Sequence, residues 1–456
     1  MAAGLWGCIA VFTFVVPATP ARMDRATADL IPGVPFWEAL VASGPGAAIA
    51  PGTLALLLAI FGGGAFLLYG TALHLVWNRS ASIGNVAVLA SISAFYFGTA
   101  VLALPTQNTD VFNYMVQGRV SSAHGENPYL TAPRAFPDDP ILPYAGAQYT
   151  TEPNDYLPAW GVFNSTVARL AGDDPVRGLI TYRLAFMGLS LGCLLLIVGI
   201  LGTVSPNHVR AGIVTFAWNP IVILEGQSRV DTLMAFLTLS AVLLIVHRRL
   251  AAGAAALTLS VLTKWITLPL LFCFVAGRFW RRQWTTILWM AMAAAVAAAA
   301  VYAPFLEDPA ILGLHLEMLM RGGSSAPDGL RWVLGAGLVA LAVWFGRYQD
   351  EDRGIALWSW AILLLYFTAF LTKIGFSWYL IVPAALVALV RDVRIVIPFL
   401  MLGLAAFAFQ MRDGSFNSGY DLVDLLPFDR FWVFLALSAV GTAAVAAVVV
   451  RRLRTD

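Results

Sequence analysis

Charge is what this chain has least of. Only 12% of its residues are Asp, Glu, Lys or Arg, against ~25% in an ordinary soluble domain. With 59% hydrophobic residues and a mean hydropathy of +0.78, that scarcity sets aside the soluble fold classes. Lysine is scarcer still, since Lys264 and Lys373 are the only two. Nearly every positive charge is therefore an arginine, and the net charge is only +2 with no basic run. The net charge says nothing about nucleic acid, and no basic run supports it as a partner. Cys8, Cys193 and Cys273 all lie inside apolar segments without metal-ligand spacing, and read as small buried hydrophobes rather than disulfide or metal partners. The ten-residue alternation of a porin strand is missing, as are a Gly-rich phosphate loop and any internal repeat of clear period.

What the chain does have is long apolar segments. They lie near 53–77, 84–104, 178–203, 209–225, 230–246, 251–276, 284–305, 330–346, 354–372, 376–390, 394–411 and 431–450. A shorter one, Leu5 to Val16, lacks a basic n-region and a good cleavage site and reads as a short span rather than a signal peptide. About 20 apolar residues cross a ~30 Å hydrocarbon core, and unsatisfied backbone forces such segments to be helices. The fold class is thus an all-α polytopic membrane protein, residues 1–456 forming a single transmembrane domain. Thirteen alternating spans would put one of two basic clusters, His247-Arg248-Arg249 or Arg278 to Arg282, on the outside, against the positive-inside rule. The conflict disappears if 251–276 is re-entrant, broken at Lys264 and Pro269. About twelve crossings then remain, with both termini cytoplasmic and the loops 105–177, 306–329 and 411–430 outside; a plain thirteen-span bundle is the alternative.

The loop 105–177 holds eight acids against four arginines. A loop this long is functional or structured in its own right, and short interfacial helices are expected in it. Asp110, Tyr114, Gln117 and Ser121 share one helical face by spacing. Asp110 suits either a helix-capping acid or a general base near a pocket. Glu152 and Asp155 lie among Tyr149, Tyr156 and Trp160 and could bind an acceptor or simply be solvated. Trp218-Asn219-Pro220 through Asp231 reads as a tight hairpin, in which Arg229 and Asp231 could pair with each other. Glu225 ends an apolar helix there, and an ionisable group at such a place is a functional hypothesis by default. Lys264 lies at bilayer depth, where a charge costs several kcal/mol unless paired or hydrated, and phosphate suits a lysine. Lys373, beside Trp378-Tyr379, and Arg321, beside Gly322-Gly323, are further phosphate candidates.

Asp-x-Phe-x-Tyr-x-x-x-Gly-Arg from Asp110, Gly-Glu-Asn-Pro-Tyr from Gly125, Trp218-Asn219-Pro220, Asp-x-Leu-Met-Ala-Phe from Asp231 and Leu-Thr-Lys-Trp around Lys264 resemble the C-type (GT-C) membrane glycosyltransferases. More narrowly they resemble bacterial polyprenol-phosphate-mannose-dependent mannosyltransferases. The motifs run over 104–265, and Ser228-Arg229-Val230-Asp231 departs from the Gly-His-Asn-Asp of many relatives. The resemblance implies a multi-pass protein of the bacterial cytoplasmic membrane, active on its outer face. It implies inverting transfer of a sugar, expected to be mannose, from a polyprenyl-phosphate donor to a glycolipid or glycan acceptor. On it Asp110 is the base, Tyr114, Gln117, Arg119, Asn127, Tyr129, Glu152, Asp155 and Asp231 line the substrate pocket, and Lys264, Arg229, Arg321 and Lys373 compete for the lipid phosphate. A divalent metal is compatible with the carboxylates and is not required by their spacing. A lipid-linked-sugar flippase or other secondary transporter is the alternative, because a broken segment with a buried lysine fits a midplane site equally well. The long acidic outer loop favours the enzyme.

Overall fold

The structure, a computed structural model, describes residues 1–16, 28–43, 51–78, 85–104, 110–307, 310–321, 328–348, 356–372 and 376–412. Among them the chain is helical throughout, with no strand. Among the described residues three helices are long and apolar enough to cross a membrane: Leu56–Trp77, Pro175–Val204 and Trp284–Phe305. Shorter apolar helices accompany them, among them Val86–Val101, Asp231–Val246, Leu250–Val261 and Leu357–Ala369. The expected segment 431–450 lies outside the described residues, as do Lys373 and the side chain of Arg321.

Several segments that look continuous in the sequence are interrupted, each for a local reason. In 209–225 a helix Val209–Ala217 stops at Trp218, and Asn219 caps a new short helix Pro220–Glu225 by accepting from the Ile221 amide at 2.9 Å. Pro220 at the first helical position needs no amide partner. Residues 377–387 form a 3-10 turn followed by the helix Ile381–Val387, half the length of an ordinary span.

The largest interruption is at Lys264. Helix Leu250–Val261 ends there, Lys264 itself is extended (φ −164°, ψ 142°), and Leu268–Trp280 leads away. The exposed backbone is satisfied locally. Leu262 and Thr263 carbonyls accept from the Ala159 and Leu157 amides at 2.9 and 3.3 Å, and the Thr238, Ser260 and Thr267 hydroxyls bond one another at 3.0–3.1 Å. Irregular backbone at such depth survives only when partnered by protein or lining a cavity. At the other ends of the two half-length helices, Arg248 lies within electrostatic range of Arg278, so the two basic clusters meet.

Residues 110–177 of the long loop form a folded unit. It contains the helices Asp110–Ser122, Ala147–Thr151 and Pro158–Ala171. The Asp110 helix is buried along almost its whole length, Val111 to Val120, rather than on one face only. Phe112, Met115 and Val116 pack with Trp160, Leu179, Tyr182 and Phe186 in one apolar cluster. The last three lie at i, i+3 and i+7 of the Pro175–Val204 helix, one stripe that supports the loop from below.

Candidate active site

The groups singled out by chemistry converge from four parts of the chain. Asp110 opens its helix, Arg229 comes from the turn before Asp231–Val246 and Asp231 from that helix's first position, Lys264 from the helix break, and Trp378 and Tyr379 from the 3-10 turn Ser377–Leu380. Arg229 does not pair with Asp231. Its Nη1 donates to Asp110 Oδ2 and its Nε to Glu225 Oε2 at 3.0 Å, while its guanidinium carbon lies 3.7 Å from the centre of the Trp378 ring. Asp231 pairs instead with Lys264, Oδ2 to Nζ at 3.5 Å. Lys264 Nζ in turn sits 4.2 Å from the Tyr379 ring centre and 5.9 Å from that of Tyr156. Arg229 and Asp231 remain within electrostatic range of each other, but residues 229 and 231 straddle a helix start, and each carboxylate makes its short contact with the cation that another element delivers.

Burial differs within this group and decides which atoms substrate can reach. Asp231 is 0% exposed, with Oδ1 lacking a hydrogen-bond partner among the described residues. Asp110 keeps 27% of its side chain accessible and Lys264 20%. Tyr114 is buried against Trp160 (4.8 Å between ring centres) and Tyr156 (5.9 Å), and burial raises the pKa of both tyrosines, keeping them neutral. They form a wall of rings that supplies shape and no charge. Gln117 is buried, its Oε1 lacking a hydrogen-bond partner among the described residues. Asp155 is exposed but within electrostatic range of Lys264. Glu152 is exposed at the end of the Ala147–Thr151 helix.

Three other expected pocket residues lie elsewhere. Arg119 forms a separate knot, its Nε donating to Asp139 at 2.8 and 3.0 Å and its Nη1 to Asp173 and the Gly172 carbonyl at 2.8 and 2.7 Å. His124 joins through Asp139 Oδ2 at 2.7 Å and stacks on Phe136. Burial alone would raise the Asp139 pKa, but the Ile141 amide, His124 and Arg119 outweigh it and hold the carboxyl below its ordinary 3.8. Asn127 donates to the Phe305 carbonyl at 3.0 Å, and Tyr129 packs edge-on against Phe305 and His315. These two tie the loop to the segment after Trp284–Tyr302.

Arg183 escaped the sequence analysis. Only 2% exposed inside a long apolar helix, it donates to the carbonyls of Val101, Ala103 and Leu104, the frayed end of the helix Val86–Val101. A lone arginine in an apolar segment is an available signal. Glu225, Tyr156 and Trp378 also belong to the constellation without having been assigned a role in it. Among the described residues no three His, Cys, Asp or Glu side chains are grouped to hold a metal ion.

A family model described as Alpha-(1->6)-mannopyranosyltransferase, N-terminal domain, matches residues 4–282. The chain belongs to this mannosyltransferase family. It is accordingly a glycosyltransferase acting on mannose, and the apolar helices agree with a membrane protein. The match contains Asp110, Glu225, Arg229, Asp231 and Lys264, and ends before Trp378 and Tyr379. No curated protein and no solved structure matches the chain.

Proposed function

We propose that the chain transfers mannose, with inversion, from a polyprenyl-phosphate donor to a glycan or glycolipid acceptor at the outer face of the bacterial cytoplasmic membrane. The observation that carries this reading is the juxtaposition of two carboxylates and two cations, Asp110, Asp231, Arg229 and Lys264, beneath the rings of Trp378 and Tyr379. Asp110, the more accessible acid, takes the proton of the acceptor hydroxyl. The hydroxyl oxygen forms its bond to the anomeric carbon as the bond from that carbon to the phosphate oxygen breaks. The electron pair leaves on the phosphate, where Arg229 and Lys264 stabilise the growing negative charge. Arg321 and Lys373 are further basic groups for the lipid phosphate. Asp231 holds Lys264 in place, and Tyr114, Tyr156 and Gln117 shape the sugar pocket.

The test is a transfer assay with purified protein, radiolabelled polyprenyl-phosphate mannose and a glycolipid acceptor extract. Asp110→Asn should lose transfer by ~10²-fold or more, the usual contribution of a positioned base; transfer at the wild-type rate would falsify that role. Lys264→Met should weaken donor use with the fold retained. The break at Lys264 also suits a flippase, and label that crosses vesicles without joining an acceptor would favour that reading.

A further inference from the structure

Arg229 is held from three directions, and only one of them leads to a group that substrate can reach. Glu225, four residues earlier on the same turn, takes its Nε, and Trp378 covers its face. Neither partner belongs to the Asp110 helix. Asp110 arrives from 119 residues away in sequence, and about a quarter of its side chain is open. A carboxylate paired with arginine is a poor base, because the neighbouring positive charge stabilises the ionised form. The site so arranged has a base that is quenched by the cation that the leaving phosphate needs.

We propose that Arg229 is an exchangeable counter-ion, paired with Asp110 while the site is empty and with the donor's phosphate once the donor is bound. The inference rests on the reading of Asp110 as base. Its consequence is an order of events. An anionic phosphate competes with the Asp110 carboxylate for the same N–H groups, and a guanidinium fork matches phosphate in two-point geometry. When phosphate wins, Asp110 gives up its ion pair with Arg229 and that oxygen can take the acceptor's proton, with Arg229 still anchored by Glu225 and Trp378. During transfer the phosphate gains a second negative charge as the anomeric bond breaks, and Arg229 is already on it. Acceptor hydroxyls reaching an empty site meet a carboxylate already occupied, so their deprotonation waits for the donor.

The experiment measures binding of polyprenyl phosphate without the sugar to the purified full-length protein, in wild type and in Asp110→Asn, Arg229→Gln and the double variant. Asp110→Asn should bind the lipid tighter than wild type by about fivefold or more, the lower end of ordinary coupling between competing interactions. Arg229→Gln should bind it on the order of tenfold more weakly, as expected when a charge-assisted pair is removed. The gain from Asp110→Asn must vanish in the double variant; a gain that persists without Arg229 is a general charge effect and overturns the exchange. Unchanged or weaker binding in a folded, inactive Asp110→Asn protein also overturns it, while leaving Asp110 as the base. Full transfer activity in Asp110→Asn instead overturns the base reading itself, and the exchange with it. Asp110→Ser carries the same prediction should the asparagine variant not fold.

Discussion

Replacing Gly118 with alanine probes how closely the candidate base depends on packing two turns away. A Cβ at Gly118 would lie 2.9 Å from Ala168 Cβ, 2.9 Å from the Asn164 carbonyl oxygen and 3.1 Å from the Tyr182 hydroxyl. None of these can swing aside. Two belong to the framework of the Pro158–Ala171 helix, and Tyr182 is held there by donating to Asn164 Oδ1 at 2.6 Å. Ordinary contact begins at 3.4 Å, so the helices must part by roughly half an ångström, and overpacking of this kind costs ~1–3 kcal/mol. Asn164 also donates to the Tyr114 carbonyl at 2.9 Å, so the strain enters the helix beside a site wall. Asp110 is the first residue of that helix, about 12 Å along its axis. Since a misplacement of about 1 Å can cost ~10²-fold, half of that should lower kcat by about tenfold, with donor KM nearly unchanged. Transfer kinetics and thermal unfolding in detergent, with Gly188→Ala as the control because nothing lies within 4 Å of its Cβ, provide the comparison. A Gly118→Ala protein as active and as stable as wild type would refute the argument.

Arg183→Met should lower stability by ~2–4 kcal/mol, since it strips three carbonyls at a helix end of their donor, and Arg183→Lys should recover only part; thermal melts separate the two, and an unshifted melt for methionine removes Arg183 from the framework. Asp139 should make the protein acid-labile. Its folded-state pKa is depressed, so its stabilisation is complete above about pH 5, where the unfolded chain is also ionised, and is lost as the pH falls below about 4. Asp139→Asn should cost ~3 kcal/mol at neutral pH by leaving Arg119 without its buried partner, and should flatten the acid limb of a stability–pH curve; an unchanged limb would assign the acid sensitivity elsewhere. Gln283→Cys should react with a membrane-impermeant thiol reagent from the cytoplasmic side only, as should a cysteine at His247; labelling from opposite sides would restore a thirteen-span arrangement.

The motif Asp-x-Phe-x-Tyr-x-x-x-Gly-Arg was legible as a motif, and its parts turn out to do different things. Asp110 and Tyr114 belong to the constellation, Phe112 packs on Tyr144 at 5.6 Å, Gly118 allows a close helix crossing, and Arg119 knots the loop to Asp139 and Asp173. Spacing places Asp110, Tyr114 and Gln117 on one surface, but it cannot say that the helix is buried on all sides, because that depends on what the rest of the loop folds over it. The break at Lys264 was legible from a charge and a proline inside an apolar run. The Arg229 pairing was not, since the competing carboxylates lie four and 119 residues away and local sequence favours neither. The turn at Trp218-Asn219-Pro220 was legible as the start of a hairpin, and the Asn219 cap makes it. The helix end inside 377–387 was hidden for the opposite reason, because apolar composition runs through it.

The rings of Trp378 and Tyr379 bear on why the site needs chain beyond the family match. Arg229 and Lys264 could be steadied by more carboxylates, but each would consume N–H groups that a phosphate must use and would add negative charge where an anion has to bind. An aromatic face steadies a cation differently. It attracts the charge through the ring quadrupole, worth ~2 kcal/mol when water is excluded, and it accepts none of the guanidinium's in-plane hydrogen bonds. Trp378 at 3.7 Å from Arg229 and Tyr379 at 4.2 Å from Lys264 therefore steady both cations without taking any of the N–H groups that, on the proposed mechanism, a phosphate would use. The segment that supplies them follows residue 282, where the match ends. The acids and cations alone would form a neutralised cluster, and on the proposed mechanism the rings would let the positive half of that cluster face the donor's phosphate.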